Sequence, residues 1–291
     1  MILRYPGGKK KVAKFLAPVL VPCDELREPF FGSGAVTFEA LTKPNPPKRV
    51  WINDIDLGIA ALWTTVIRHP DQLAALVESF RPSVASFKDF KESLLDPDAV
   101  LSDADRGFRK LAVHQMSYSG LGTKAGSPIG GWDQEKVSKA YTVECRWNSR
   151  KLVLDIARAH RLLQGRVHEN RCTSYDALDV IQAPGDDVVL YMDPPYVGAG
   201  QSLYQHSYTE PGHRGLAEAL LNSPHRWLLS YDDHPLVHSL YSSVRVEPAS
   251  WAYTINSKEG NKGRELLILC GIALPFMPGD NMEDLIQALF A

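Results

Sequence analysis

The chain is poor in cysteine: Cys23, Cys145, Cys172 and Cys270 are the only four in 291 residues, and none form a Cys-x-x-Cys pair. That spacing excludes a disulfide scaffold and a cysteine-built zinc site, and it fits reduced thiols in a cytosolic setting. Long apolar runs are also missing. The longest, "ELLILCGIALPFM", is too short to cross a bilayer, and the opening "MILRYPGGKKKVAKF" has no apolar signal core. The net charge is only −2, so any nucleic-acid surface has to be local and offset by acid elsewhere. Neither an internal period nor a low-complexity tract is present, which excludes repeat architectures. The glycine turn at residues 32–34 is not followed by Gly-Lys-Ser/Thr, which disfavours a nucleoside triphosphate.

What is present is a strand–helix pattern, in a chain whose 44% apolar content can bury a full core. "REPFFGSGAV" reads as strand, glycine turn and helix, and "RVWIND" as a short strand ending in Asp54. In the second half, "RVHENRCT", "DVVLYM" and "RWLLSY" alternate with "DALDVIQA", "HRGLAEALLNS" and "HPLVHSLYSS". Such alternation implies a mostly parallel sheet covered on both faces. "VRVEPASW" and "RELLILCGI" follow as consecutive strands, a terminal hairpin that makes one strand antiparallel.

Residues 69–161 break this pattern. They hold the helix-like runs "DQLAALVESF", "VASFKDFKESLL" and "DADRGFRKLAVHQM", then a glycine-rich stretch, then "RWNSRKLVLDIARAHRLLQG". In the last, Leu152, Ile156, Ala159 and Leu163 recur at helical spacing before Gly165. The expected organisation is one core domain, 1–68 with 162–291, split by a mainly helical insertion.

"YMDPPYVGAG" carries the chemistry. Prolines are poor strand residues, and a carboxylate ending a buried strand needs partners, so folding alone does not account for Asp193-Pro194-Pro195-Tyr196. Two successive prolines stiffen the backbone, which aims the Pro194 carbonyl in one direction. That carbonyl and the Asp193 carboxylate are two acceptors for the two N–H bonds of a planar amine. Tyr196 adds a flat face, worth roughly 1–3 kcal/mol to a stacked base. Gly32 and Gly34 suit close approach of a ligand at the first strand–helix turn, and Asp54, twenty residues beyond Gly34, suits the hydroxyls of a ribose.

"YPGGKK", "EPFFGSG", "NDID", "SYDAL", "DPPY" and "GRELLI", in that order, resemble the DNA adenine-N6 methyltransferases of the Dam family over residues 3–65 and 145–275. The resemblance implies a Rossmann-like methyltransferase fold with a seven-stranded sheet, and S-adenosylmethionine as methyl donor. It implies that Tyr5, Gly7, Gly8 and Lys9 border the donor's methionine end, and that Phe30, Gly32 and Gly34 form the cofactor turn. Asp54 would hold the ribose, Asp176 would read the cofactor's adenine, and Asp193 would face both the cofactor and the base. Asp193, Pro194, Pro195 and Tyr196 would be the catalytic set, acting on an adenine flipped out of double-stranded DNA. Lys124, Arg146, Arg150, Lys151, Tyr204 and Tyr208 are the candidate DNA contacts, and residues 134–171 carry nine Lys/Arg against four Asp/Glu. The protein is expected to act as a cytoplasmic, bacterial or phage-encoded monomer at the nucleoid, with a cognate restriction enzyme as a possible counterpart and no metal.

The chain departs from the family pattern in three places. Pro6 stands where alanine is usual, and Ala177 follows Asp176 where an aromatic is common. "HQMSYSGLGTKAGSPIGGWDQ" has Lys124 as its only lysine or arginine where a target-reading hairpin is usual, so specificity is either strict or relaxed. Cytosine-N4, RNA-adenine and protein-amide methylation are alternatives, although those enzymes tend to place Ser or Asn at position 193. An inactive fold that only binds DNA is a further one. His234 and His238 lack further ligands at zinc spacing and read as structural.

Overall fold

Strand β1 (Glu25–Glu28) is buried along its whole length although it reads Glu-Leu-Arg-Glu. Charge pairing and backbone acceptors make this tolerable. Arg27 Nε donates to Glu25 Oε1 at 2.6 Å, and its guanidinium also donates to the carbonyls of Ala183 and Pro184 at 2.6 and 2.8 Å. Those carbonyls end helix α8 (Ala177–Gln182), where unpaired C=O groups collect. The computed structural model describes residues 2–4, 8–10, 12–168, 170–198, 208–251 and 263–273.

The remaining strands are β2 (Arg49–Asn53), β3 (Cys172–Thr173), β4 (Val188–Met192), β5 (Arg226–Asp232), β6 (Arg245–Trp251) and β7 (Gly263–Cys270). They form one sheet in the order β3-β2-β1-β4-β5-β7-β6. β1 pairs in parallel with β2 and β4, and β7 is antiparallel to both β5 and β6. The mixed seven-stranded sheet with a terminal hairpin is the expected Rossmann-like methyltransferase architecture. "RVHENRCT" contributes only a two-residue strand, shorter than its alternation suggests. The direction of strand order reverses between β1 and β4, and that crevice is where open α/β sheets bind ligands.

Both sheet faces are covered. One carries α1 (Ala13–Leu16) and α2 (Ala35–Ala40), whose apolar side chains join Leu26, Val189, Tyr191, Leu228 and Leu267. "KKKVAKFLAPVL" has helical spacing in the sequence, but Ala13–Leu16 form a single α turn followed by a 3-10 turn over Ala17–Leu20. The other face carries α8, α9 (Glu210–Leu221) and α10 (Pro235–Leu240) against Leu190, Met192 and Trp227.

Helices α3 (Leu57–Arg68), α4 (Pro70–Ser79), α5 (Val84–Leu95), α6 (Asp103–Met116) and α7 (Ser149–Leu163) follow the sequence periodicity. Leu152, Ile156, Ala159 and Leu163 are all buried, in one cluster with Ile52, Ile59, Leu62, Leu73 and Leu111. The helical segment therefore shares its core with β2 and α3, and α7 runs across residue 161.

α6 meets α3 at backbone distance. A Cβ added at Gly107 would lie 2.6 Å from Leu62 Cα and 2.7 Å from Leu62 N. Neither backbone atom can yield without moving α3. Gly107→Ala is expected to destabilise the fold by about 1–3 kcal/mol through overpacking, read as a lower denaturation midpoint at unchanged slope.

Candidate active site

The turn after β1 is built as a platform. Gly32 and Gly34 have φ of +46° and +66°, and a Cβ on Gly34 would sit 2.4 Å from Phe31 Cζ, so position 34 needs glycine on both counts. Gly32 N–H donates to Asp54 Oδ2 at 2.8 Å, and Asp56 N–H donates to Asp54 Oδ1 at 3.0 Å. Trp63 Nε1–H donates to the Gly32 carbonyl at 2.9 Å, with its ring edge-on to Phe31 at 5.2 Å. Asn53 Nδ2 donates to the carbonyls of Pro29 and Tyr175, and its Oδ1 accepts from Tyr175 N–H and Thr173 Oγ1. One buried amide thus ties the ends of β1, β2 and β3 together. Each Asp54 oxygen holds one backbone N–H and retains lone-pair capacity toward the crevice.

Asp193 follows β4 on the other side of the switch point. Lys9 Nζ donates to Asp193 Oδ1 at 2.8 Å and to Tyr196 OH at 2.5 Å, and it lies 3.4 Å from Glu265 Oε1. The Tyr196 hydroxyl donates in turn to Glu265. The Lys9 and Glu265 side chains are only 3% and 1% exposed, whereas that of Asp193 is 22% exposed. Among the described residues, Asp193 Oδ2 and the Pro194 carbonyl accept no hydrogen bond. The turn beyond is pinned from β5, where Asp232 accepts from Val197 N–H at 3.0 Å and Gly198 N–H at 2.8 Å.

Burial pushes the Asp193 carboxyl above its usual range, and Lys9 offsets part of that rise. Burial works against the charge on Lys9 too, yet Asp193 and Glu265 raise its pKa overall. Among the described residues the cluster holds one cation and two carboxylates. Burial pushes Asp54 up to about 7, with Asp56 adding to the rise and the Gly32 and Asp56 amides opposing it. Burial also pushes Glu28 up to about 8, against a hydrogen bond from Thr37.

The structure brings Lys9, Asp193, Pro194 and Tyr196 together at one strand end, and Phe30, Gly32, Gly34 and Asp54 at the neighbouring one. Tyr5, Gly7 and Tyr204 lie outside the described residues. Asp176 is exposed and caps α8 through Leu178 N–H at 2.9 Å. Tyr208 packs edge-on to Phe30 at 5.9 Å, with Asp176 close enough to act on its hydroxyl. Lys124, Arg146 and Arg150 are exposed, while Lys151 pairs with Asp155 one turn along α7. Lys151 also lines a cavity of about 330 Å³ with Lys10, Lys14, Arg158, Phe38 and Trp63, away from Asp193. His234 caps α10 through Leu236 N–H, and His238 pairs with Asp233 at 2.7 Å.

Sequence reading misses Trp63 and Glu265 as site residues and takes Asn53 only as part of "NDID", whereas "SYDD" at residues 230–233 marks Asp232 as near the cleft. Glu265, an acid inside the apolar run of "RELLILC", carried a detectable signal, because a buried strand carboxylate needs a cation. Trp63 looks like an ordinary helix residue, and no local pattern marks it.

A crevice at the switch point of a parallel sheet, lined by a glycine turn and by Asp-Pro-Pro-Tyr, defines a methyltransferase of the α/β class. The model of the D12 class N6 adenine-specific DNA methyltransferases matches residues 5–255, most of the chain, and the protein belongs to that family. It is also similar to the type II methyltransferase M1.LlaDCHI of Lactococcus lactis subsp. cremoris, at 21% identity over 281 residues covering 90% of this chain and 91% of the relative. It is therefore a DNA adenine methyltransferase, for which the family implies S-adenosylmethionine. Among the described residues no helix is long and apolar enough to cross a membrane.

Lys9→Met leaves two carboxylates without their buried cation, and the expected loss is about 3 kcal/mol at neutral pH. Acid neutralises those carboxylates and also removes the wild-type pairing. The deficit is thus expected to be larger at pH 8 than at pH 5 in parallel denaturant titrations.

Proposed function

We propose that the protein transfers the methyl group of S-adenosylmethionine to N6 of an adenine swung out of double-stranded DNA. The reading rests on one observation: at a switch-point strand end, Asp193 Oδ2 and the Pro194 carbonyl accept no hydrogen bond among the described residues. An amine within the base stack is out of reach of such a pair, so the base has to leave the helix.

The residues around the glycine turn fit the methyl donor. Asp54 keeps lone pairs for ribose hydroxyls, and Asp176 is exposed beside the Phe30–Tyr208 aromatic pair, where it can accept from an adenine amine. When bound, S-adenosylmethionine supplies an electrophilic methyl group. Gly8 and Lys9 are assigned to the donor's methionine end, as the family pattern implies for Tyr5 and Gly7.

The chain's own part is positioning and electrostatics. Adenine N6 is a poor nucleophile because its lone pair is delocalised into the ring. Donation of its two N–H bonds to Asp193 Oδ2 and Pro194 O favours pyramidal nitrogen and frees that pair. Pro195 holds the carbonyl's direction, and Tyr196, anchored through its hydroxyl by Lys9 and Glu265, presents its ring for stacking. Positive charge then develops on N6 beside the Asp193 carboxylate, already oriented before reaction. Lys9 favours the ionised form of Asp193, against the larger effect of burial. The proton that N6 sheds has Asp193 Oδ2 as its nearest acceptor, and the partial exposure of that side chain opens a route to solvent.

We assign Lys124, Arg146, Arg150 and Lys151 to phosphate contacts, and residues 69–161 to target recognition between the two halves of the catalytic domain, 1–68 and 162–291. Tyr204 and Tyr208 border the base. Monomeric action, a cytoplasmic setting and a cognate restriction enzyme belong to the same reading.

Asp193→Ala is expected to abolish formation of N6-methyldeoxyadenosine, measured by nucleoside mass spectrometry, while calorimetric binding of S-adenosylmethionine persists. Equal rates for variant and parent would remove Asp193 from the mechanism. Replacing both Arg146 and Arg150 by Ala is expected to lower the slope of log affinity against log salt by about 2, checked by DNA-binding titrations at several salt concentrations.

A further inference from the structure

Lys110 is a buried lysine on α6, 3% exposed, and nothing in the mechanism above uses it. It lies three residues beyond Gly107, where α6 touches the α3 backbone, and its stem runs along Gly58, whose added Cβ would meet Lys110 Cδ at 2.8 Å. The ammonium therefore arrives at the N-terminus of α3, an end that repels cations. What holds it there is Asp56: Lys110 Nζ lies 2.5 Å from Asp56 Oδ2. Asp56 also caps α3 through Gly58 N–H and Ile59 N–H, and its own N–H fixes Asp54 Oδ1. A continuous chain of contacts thus runs from the helical insertion to the carboxylate assigned to the ribose.

We propose that Lys110 is a positioning residue for cofactor binding: through Asp56 it keeps Asp54 available as the carboxylate that accepts the ribose hydroxyls. This rests on the ribose assignment made above. Asp54 sits in an acidic neighbourhood, with Asp56 two residues away on the same turn and Glu28 at the end of β1. Facing them are the Gly32 amide, the Lys110 ammonium and His114 on α6. Burial and Lys110 hold the His114 imidazole down to about 4, and its Nδ1 contacts the carbonyls of Arg4 and Gly120 at 3.0 Å each. His114 is therefore neutral at neutral pH. Lys110 is the cation among the described residues that balances Asp54 and Asp56, so removing it leaves two buried carboxylates to share a proton.

The sign follows directly. Asp54 titrates above its unfolded value, so cofactor affinity is full at alkaline pH and falls as pH drops through about 7. In Lys110→Met the fall begins at higher pH. The test is calorimetric titration of the full-length protein with S-adenosylmethionine from about pH 6 to about pH 9. A midpoint raised by about one unit gives a Kd roughly three-fold weaker near pH 7.5, converging on the parent near pH 9. Lys110→Arg is expected to keep the parental profile. The double variant Asp56→Asn, Lys110→Met removes both charges and retains a good helix cap, so its midpoint is expected to return to the parental value or below. That double variant also serves as the test if Lys110→Met alone does not fold. A pH-independent loss of affinity in either variant, or an unchanged profile in Lys110→Met, overturns the inference. Absence of binding by the parent at every pH overturns the cofactor reading instead.

Discussion

A single buried ammonium closes the active site. Lys9 lies near the N-terminus, Asp193 and Tyr196 follow the central strand β4, and Glu265 sits on β7, yet the four meet around one nitrogen. None of these charges could be buried alone. Together they bind three distant segments of chain. The same contact occupies Oδ1 of Asp193, while Oδ2 and the Pro194 carbonyl accept no hydrogen bond among the described residues. Folding and chemistry thus share one interaction.

The cofactor side follows a different design, built on neutral donors. Asp54 is held by two backbone amides, Gly32 is held from behind by Trp63, and Asn53 gathers three strand ends. Hydrogen bonds of this kind orient a carboxylate without neutralising it, so burial leaves it titrating near neutrality. The base side carries its own cation in Lys9. The cofactor side borrows one, Lys110, from the helical insertion. The helical segment is not merely appended, because its helices share the core around α3 and its Lys110 pairs with Asp56 at the start of α3.

Much of this was legible in the linear pattern. Strand–helix alternation, the hairpin of β6 and β7, and the apolar stripe of α7 all follow from side-chain periodicity, which is local. Asp193-Pro194-Pro195-Tyr196 was legible because its residues conflict with strand propensity, and such conflicts mark function. β3 was overread, since eight residues of mixed alternation yield only two that pair with β2. "KKKVAKFLAPVL" was overread as well, where Pro18 and the following 3-10 turn cut the helix short.

By itself the sequence determined the fold class and the order of the motifs, because each depends on residues adjacent in the chain. Only the tertiary structure decided that Lys9 pairs with Asp193 and Glu265, that Lys110 pairs with Asp56, and that Asn53 and Trp63 hold the strand ends and the glycine turn. Those pairings join residues up to 256 positions apart. Charge balance in a low-dielectric interior depends on distance through space, which sequence spacing does not encode.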